Sequence, residues 1–337
     1  MGSEPDRRVA PAEVTVVVPV GGHAPAWPRC ARSLAALDPA PGEIVAVIDG
    51  SNDDLAASAA EAGARVVVLP RRGGPARARN RGAQAASHDV LLFIDADVEA
   101  PRDLAARVAA LLTAHNEVAA VIGSYDETPG DPGFLSQYRN LLHHFVHQHA
   151  REQASTFWAG CGAVRREVFD EVGGFDERYT DPSVEDIELG ARLVGAGHAI
   201  RLVKDLQVTH LKRWRLADML ATDLWGRAVP WTELMLRNGR VVNDLNVKTR
   251  DRLSLLLAFI PLAALPAGWW RWPALLGVGA AALVLVVALN AGLFRFFLHR
   301  RGPWFALRTI PVYWVYLLIC GLGVALGLLR HLLGRWR

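Results

Sequence analysis

Asp95 and Asp97 stand one residue apart at the end of the apolar run VLLFI. Two carboxylates at that spacing in an extended segment can turn towards one ligand. Hard oxygen donors of this kind suit Mg2+ or Mn2+ bridging a diphosphate. A solvated turn after a strand would use the same residue types, but the position at the end of a buried run favours metal or nucleotide binding. Upstream, RRGGPARARNRG carries Arg79, whose planar donor fork matches a carboxylate or phosphate. Gly73, Gly74 and Gly82 in the same stretch let backbone approach a ligand closely. The competing reading there is a solvated basic loop. Glu185 and Asp186 open a predicted helix, where acidic residues cap the helix dipole or, in a site, take the proton of a hydroxyl as it attacks. His210 follows the strand-like LQVT and precedes Lys212, Arg213 and Trp214. A lone histidine is more often structural than a ligand, so its assignment needs context. His143 and His147 are four apart in LLHHFVHQHA, on one helical face. That spacing can bind metal, yet no acidic partner stands nearby and the zincin pattern is missing. An acceptor-side or membrane-proximal role and a plain surface helix remain open for them.

The elements that must position these residues are legible as alternation. Between Val14 and about Glu117, the runs VTVVVPV, EIVAVID, RVVVL and VLLFIDAD alternate with segments of helical character. That pattern predicts βαβ units and a parallel sheet. The runs are nearly continuously apolar, as expected for strands covered by helices on both faces. Open sheets of this kind bind ligands at the carboxyl ends of their strands, where Asp49, Asp95 and Asp97 all fall. A helix-like stretch rich in aromatics and histidines follows at 132–154, and short strands and helices return from Phe157 to Val208. The whole is read as one domain over 14–213, after a polar tail at 1–13.

Beyond it, WRLADMLATDLWGRAVPWTELMLRNGR has the make-up of a helix in a membrane interface, or of an amphipathic helix packed on the domain, over 214–250. Three apolar segments at about 253–270, 273–293 and 309–329 form a membrane region within 251–333. Each approaches the ~20 residues that cross a bilayer. Pro261 and Pro266 leave a re-entrant course open for the first, although proline is tolerated in spanning helices. Trp269, Trp270, Trp272, Trp304 and Trp314 are expected as interface anchors. The basic FRFFLHRRGPWFALR is expected on the cytoplasmic side. If the third segment also spans, the basic tail ends outside, against the positive-inside tendency.

Taken in order, VVPV, DGSND, GGPARARNRG, DAD, VEDIELGARL and HLKRW resemble a family-2 glycosyltransferase with the GT-A fold, over about residues 14–240. The resemblance implies an α/β, Rossmann-like, mostly parallel sheet with flanking helices, followed by C-terminal transmembrane helices. It implies that Pro19 and Asp49 border the nucleotide base, that Arg79 and Asp95 lie by the nucleoside, and that Asp97 and His210 hold the metal. Asp186 becomes the catalytic base, and Lys212 and Arg213 neutralise the departing diphosphate. Trp158, Gly160, Glu185 and Trp214, with His143 and His147, are expected on the acceptor side. Processive synthases carry Gln-x-x-Arg-Trp where this chain has HLKRW, so chain polymerisation is not expected.

The formal charge of only +3, with basic residues gathered near apolar segments of the last third, fits a membrane surface and excludes a nucleic-acid partner. Cys30, Cys161 and Cys320 lack the spacings of a zinc site or a disulfide framework, which fits a reducing compartment. The polar N-terminus has no secretory pattern. The expectation is therefore an inverting glycosyltransferase of the inner membrane with its catalytic domain on the cytoplasmic side. It would use Mg2+ or Mn2+ and move sugar from a UDP- or GDP-sugar to a hydroxyl of a lipid or lipid-linked acceptor. The alternatives are a polyprenyl-phosphate glycosyltransferase and a non-catalytic nucleotide-sugar-binding membrane protein. A nucleotidyltransferase ranks below these, because VVPVGGHAP lacks a phosphate-binding loop with its lysine.

Overall fold

The computed structural model describes residues 8–22, 24–239, 245 and 247–334. The chain divides into two compact units, Met1–Pro132 with Ala150–Arg213 and Gly133–His149 with Trp214–Arg337.

The first unit is built on β1 (Val14–Gly21), β2 (Glu43–Asp49), β3 (Arg65–Leu69), β4 (Val90–Ile94), β5 (Val98–Glu99), β6 (Val118–Tyr125), β7 (Gln153–Ala154), β8 (Cys161–Arg165) and β9 (Ala199–His210). They lie in the order β3-β2-β1-β4-β8-β6-β9-β5, with β7 also on β9. β3, β2, β1 and β4 are mutually parallel, β6 and β9 run with them, and β8 is the antiparallel strand between β4 and β6. The short β5 and β7 pair antiparallel with the ends of β9. The sheet is thus mostly parallel and flanked by helices.

Side-chain alternation explains why both faces are covered. Val14, Val16, Val18, Val20, Ala46 and Ile48 bury one face against Trp27, Leu34, Leu104 and Val108. Val45, Val47 and Leu69 bury the other against Ala78 of the Gly74–Ala85 helix. Each such valine, fully buried, contributes roughly 1.5–3 kcal/mol. Gly82 sets the spacing of that second layer: a Cβ there would lie 2.3 Å from Val17 Cγ1 and 3.0 Å from Val47 Cγ2.

The second unit is helical. Phe134–Gln148 joins it because Tyr138, Leu141 and Phe145 bury in one aromatic cluster with Phe294, Phe297 and Tyr313. Leu216–Ala221, a π-helical turn at Thr222–Ala228 and Val229–Asn238 occupy the amphipathic stretch expected at 214–250. Residues 240–244 and 246 of that stretch lie outside the described residues. Thr249–Trp270 and Pro303–Leu332 are long and apolar enough to cross a membrane. Pro261 and Pro266 leave the first of these a single helix. The segment expected at 273–293 is instead Ala274–Leu289 followed, after a 69° bend at Asn290, by Ala291–Arg301. Asn290 accounts for the corner: its amide donates to Ser254 Oγ (2.8 Å) and Val286 O (2.9 Å) and accepts from the Tyr313 hydroxyl (3.0 Å). A buried amide satisfied in this way ties three helices together. Trp269 and Trp270 are 86% and 88% exposed. The Trp314 indole N–H is donated to Ala258 O (2.9 Å).

Candidate active site

Four strands that run the same way end at one edge of the first unit, and each ends on a residue that can do chemistry. β2 ends at Asp49, β4 opens into Asp95-Ala96-Asp97, β6 ends at Tyr125 and β9 ends at His210. Antiparallel pairing adds the rest. Ile94 faces Cys161 and Ile122 faces Gly162, so the turn Trp158–Gly160 that precedes β8 falls beside both Asp95–Asp97 and Tyr125.

A tight turn follows β4, with the Val98 amide donating to Asp95 O (3.1 Å). Val98 then pairs with His210, and the Leu211 amide donates to Asp97 O (2.8 Å). This clasp brings His210 Nε2 to 3.7 Å from Asp97 Oδ2. Burial by itself would raise the Asp97 carboxyl, but His210 and the nearby Lys212 outweigh it and hold the group below its ordinary value. Tyr125 stacks on the His210 ring at 4.2 Å between centroids, and Trp158 meets Tyr125 edge-on at 4.8 Å. Gly160 makes room for that indole: a Cβ there would sit 2.6 Å from Trp158 Cζ2. Tyr125 was not singled out in the sequence; a hydroxylated aromatic closing the apolar run VAAVIGSY was the available signal.

Arg79 is buried and clamps two carboxylates, Asp95 Oδ1 at 2.7 Å and Glu185 Oε1 at 2.8 Å. Its guanidinium lies 5.3 Å from the Phe175 ring centroid. Burial disfavours its charge, but Asp95 and Glu185 more than restore it, so the group stays cationic. The fork expected to meet the donor is therefore filled by protein carboxylates. Glu185, expected towards the acceptor, is held by Arg79 and by the Ser183 amide (2.8 Å). Both side chains act by placing Asp95 and the start of the Glu185–Gly195 helix.

Asp49 is also committed. Its carboxylate accepts from the amides of Gly73 (2.7 Å) and Gly74 (2.9 Å), neutralising the positive end of the Gly74–Ala85 helix. The glycines expected to approach a ligand approach protein instead: a Cβ on Gly74 would lie 2.2 Å from Thr180 O, and Gly82 packs on Val17. Pro19 lies in β1 two residues past the last pair with β4, where a strand tolerates a missing N–H.

Asp186 is the half-buried acid of the first turn of Glu185–Gly195. One oxygen accepts from the Ala159 amide (3.2 Å) and the other from the Ile187 amide (2.8 Å). Burial, with the negative charge of Glu185, pushes its carboxyl up to about 7. Lys212 and Arg213 are exposed just past His210. Trp214, His143 and His147 belong to the second unit, where all three are held in helix packing: Arg139 lies over the Trp214 ring and His143 packs on His147.

The donor set suits a divalent metal only in part from the protein. Asp97 and His210 would provide one carboxylate and one imidazole, and among the described residues no third His, Cys, Asp or Glu completes a cluster. Mixed oxygen and imidazole donors suit Mn2+ better than Mg2+.

A glycosyl transferase family 2 model matches residues 15–173, and one described as the N-terminal domain of galactosyltransferase matches 139–215. A pre-mycofactocin glycosyltransferase of Mycobacterium tuberculosis is 29% identical over 241 residues, which cover 65% of this chain and 47% of that protein. An N-acetylglucosaminyl-diphospho-decaprenol L-rhamnosyltransferase of the same species is 48% identical over 52 residues, 15% of this chain and 17% of the relative. The chain thus spans about half the length of the first of these relatives. Among solved structures, a mannosyltransferase from Pyrobaculum calidifontis in complex with GDP-Man and Mn2+ superposes with a TM-score of 0.57 at 21% identity, covering 93% of this chain and 87% of its own. S. aureus TarS 1-349 in complex with UDP-GlcNAc gives 0.52 at 17% identity, covering 90% of each chain. The family match covers the strands that carry Asp49, Asp95 and Asp97, so that residues 15–173 form a glycosyltransferase family 2 domain, and the solved structures share its fold.

Proposed function

We propose that the chain transfers a sugar from a nucleoside-diphosphate donor to a hydroxyl of a lipid or lipid-linked acceptor at the cytoplasmic face of the inner membrane, with inversion at the anomeric carbon. The observation that carries this reading is Asp186, a half-buried carboxyl raised to about 7 and held by the Ala159 amide in the same unit as Asp97 and His210. A base with a pKa near the working pH combines a useful ionised fraction with a useful driving force.

Asp186 takes the acceptor hydroxyl proton as the oxygen bonds to the anomeric carbon and the bond to the diphosphate breaks. Attack from the face opposite the leaving group inverts the centre, and one carboxylate suffices. Lys212 and Arg213 meet the charge that develops on the diphosphate. Asp97 and His210 would hold the divalent ion, which supplies Lewis-acid stabilisation of that same leaving charge. Asp49 and Arg79 contribute by fixing the Gly74–Ala85 helix and Asp95 rather than by reacting. The apolar helices of the second unit, and a sequence relative named for a decaprenol-linked acceptor, support an acceptor that partitions into the membrane. Anchoring the domain at that surface raises the effective concentration of such an acceptor.

The test is release of nucleoside diphosphate from UDP-, GDP- and dTDP-sugars by the detergent-purified chain, with Mn2+ or Mg2+ and bacterial lipid extract. Lipid-stimulated release from one donor, abolished in Asp97→Ala, supports the proposal. Donor binding without release from any sugar sinks it in favour of a non-catalytic nucleotide-sugar binder.

A further inference from the structure

Asp186 and Gly190 stand four apart on one face of the Glu185–Gly195 helix, and Gly190 is buried. A side chain at 190 has no room: a Cβ would lie 2.1 Å from the Phe157 amide nitrogen, 2.5 Å from the Thr156 carbonyl carbon and 2.6 Å from Thr156 Cα. All three atoms are backbone, so no change of rotamer relieves the contact. Because Cβ atoms tilt towards the N-terminus of a helix, the added methyl would press on the side that carries Asp186.

Both sides of this contact are anchored. On the turn side, Phe157 is buried and meets Phe93 and Phe175 edge-on, with centroids 6.2 and 6.4 Å away. Gly162 closes on the same turn, where a Cβ would lie 2.4 Å from Trp158 O and 2.7 Å from Phe157 Cζ. On the helix side, Leu189 and Leu193 are fully buried, and Arg192 donates to Gly174 O (2.7 Å) and to Glu188 Oε2 (2.6 Å). The Asp186 carboxylate reaches the Ala159 amide at 3.2 Å, the long end of an N–H···O bond. A methyl at 190 would have to open the packing by about 1 Å, and a bond of that length does not survive such a shift. We propose that Gly190 is a positioning residue for Asp186: its missing side chain lets the helix lie against the backbone of Thr156 and Phe157, and that approach sets the carboxylate on the Ala159 amide. The inference rests on the reading of Asp186 as the base.

The test uses the full chain in detergent and two readouts. Hydrogen exchange over residues 157–160, measured without any donor, reports whether the Ala159 amide is held. Gly190→Ala should speed that exchange at least tenfold, whereas Gly195→Ala, in the same helix where a Cβ meets nothing within 4 Å, should leave it unchanged. The second readout is nucleoside diphosphate release from UDP-, GDP- and dTDP-sugars with bacterial lipid extract, in a cycle of Gly190→Ala, Asp186→Asn and the double variant. Gly190→Ala should lower kcat about 10²-fold with the donor KM within about twofold of wild type. The double variant should be no more than about twofold slower than Asp186→Asn, because a residue that acts through Asp186 has nothing left to place. If Gly190→Ala does not fold, Phe157→Leu, which loosens the turn side of the same contact, takes its place in both readouts. Unchanged exchange at Ala159, or losses that multiply in the double variant, overturn the proposal and leave the base reading standing. Near-normal turnover of Asp186→Asn sinks the base reading and the positioning role with it. No release from the wild type, with the exchange effect intact, counts against the transferase reading alone.

Discussion

Arg79 shows how a residue type can be read correctly and its partner missed. A guanidinium fork suited to a carboxylate or phosphate was foreseeable in GGPARARNRG, but its burial was not, and Glu185, which it holds, lies 106 residues away, where local pattern does not announce such pairs. Removing one member of a buried ion pair strands the others, so Arg79→Gln should cost about 3–5 kcal/mol of unfolding free energy in denaturant titration. A cost below about 1 kcal/mol would mean that Asp95 and Glu185 do not depend on it. His210 was legible only through its context, and the ring that orients it, Tyr125, was not singled out. Partners that orient a metal ligand are worth ~10–100-fold in metal affinity. Tyr125→Ala should therefore weaken Mn2+ binding roughly tenfold by calorimetry, while Tyr125→Phe, which keeps the stack, stays near wild type. Equal losses in both variants would assign the role to the hydroxyl instead.

The strands were the most legible elements. β1 to β4 occupy the four apolar runs, because a strand buried on both faces writes its own limits into composition. The antiparallel insertion of β8 between β4 and β6 was not legible, since CGAVR carries no mark of its neighbours, and yet it is what brings Trp158 to Tyr125. Phe134–Gln148 was read as part of the transferase half, whereas its buried aromatic face belongs to the helical unit. The bend at Asn290 was likewise hidden in an apolar run that looked continuous. Glycines in the Gly74–Ala85 helix looked like ligand contacts and proved to be packing contacts. Gly82→Ala should destabilise by about 1–3 kcal/mol through overpacking, and Val17→Ala in the same chain should recover part of that loss. Additive costs in the double variant would contradict the close approach of helix and sheet.

For the molecule as a whole, a family-2 transferase domain and a unit with apolar helices long enough to span a bilayer share one chain. Their coexistence predicts that the expressed protein stays in the membrane pellet through alkaline carbonate washing and is released only by detergent. Release by carbonate or by salt alone would mean that the apolar helices pack on protein, not lipid. Composition announced this division, because the charge-poor last third differs from the alternating first two thirds. Which donor and acceptor are used depends on pocket shape, which the motifs do not encode.

The role of Asp186 can be measured directly as the pH dependence of kcat/KM for the wild type and Asp186→Asn with the donor and lipid acceptor that support release. The folded carboxyl lies near 7, so activity needs the deprotonated form: the wild-type rate should climb roughly tenfold between pH 6 and a plateau above 7. Asp186→Asn should lose ~10²–10⁴-fold and lose that limb, with donor affinity unchanged. Near-normal turnover of Asp186→Asn would contradict a hydroxyl acceptor and point to one, such as a polyprenyl phosphate, whose oxygen is already an anion.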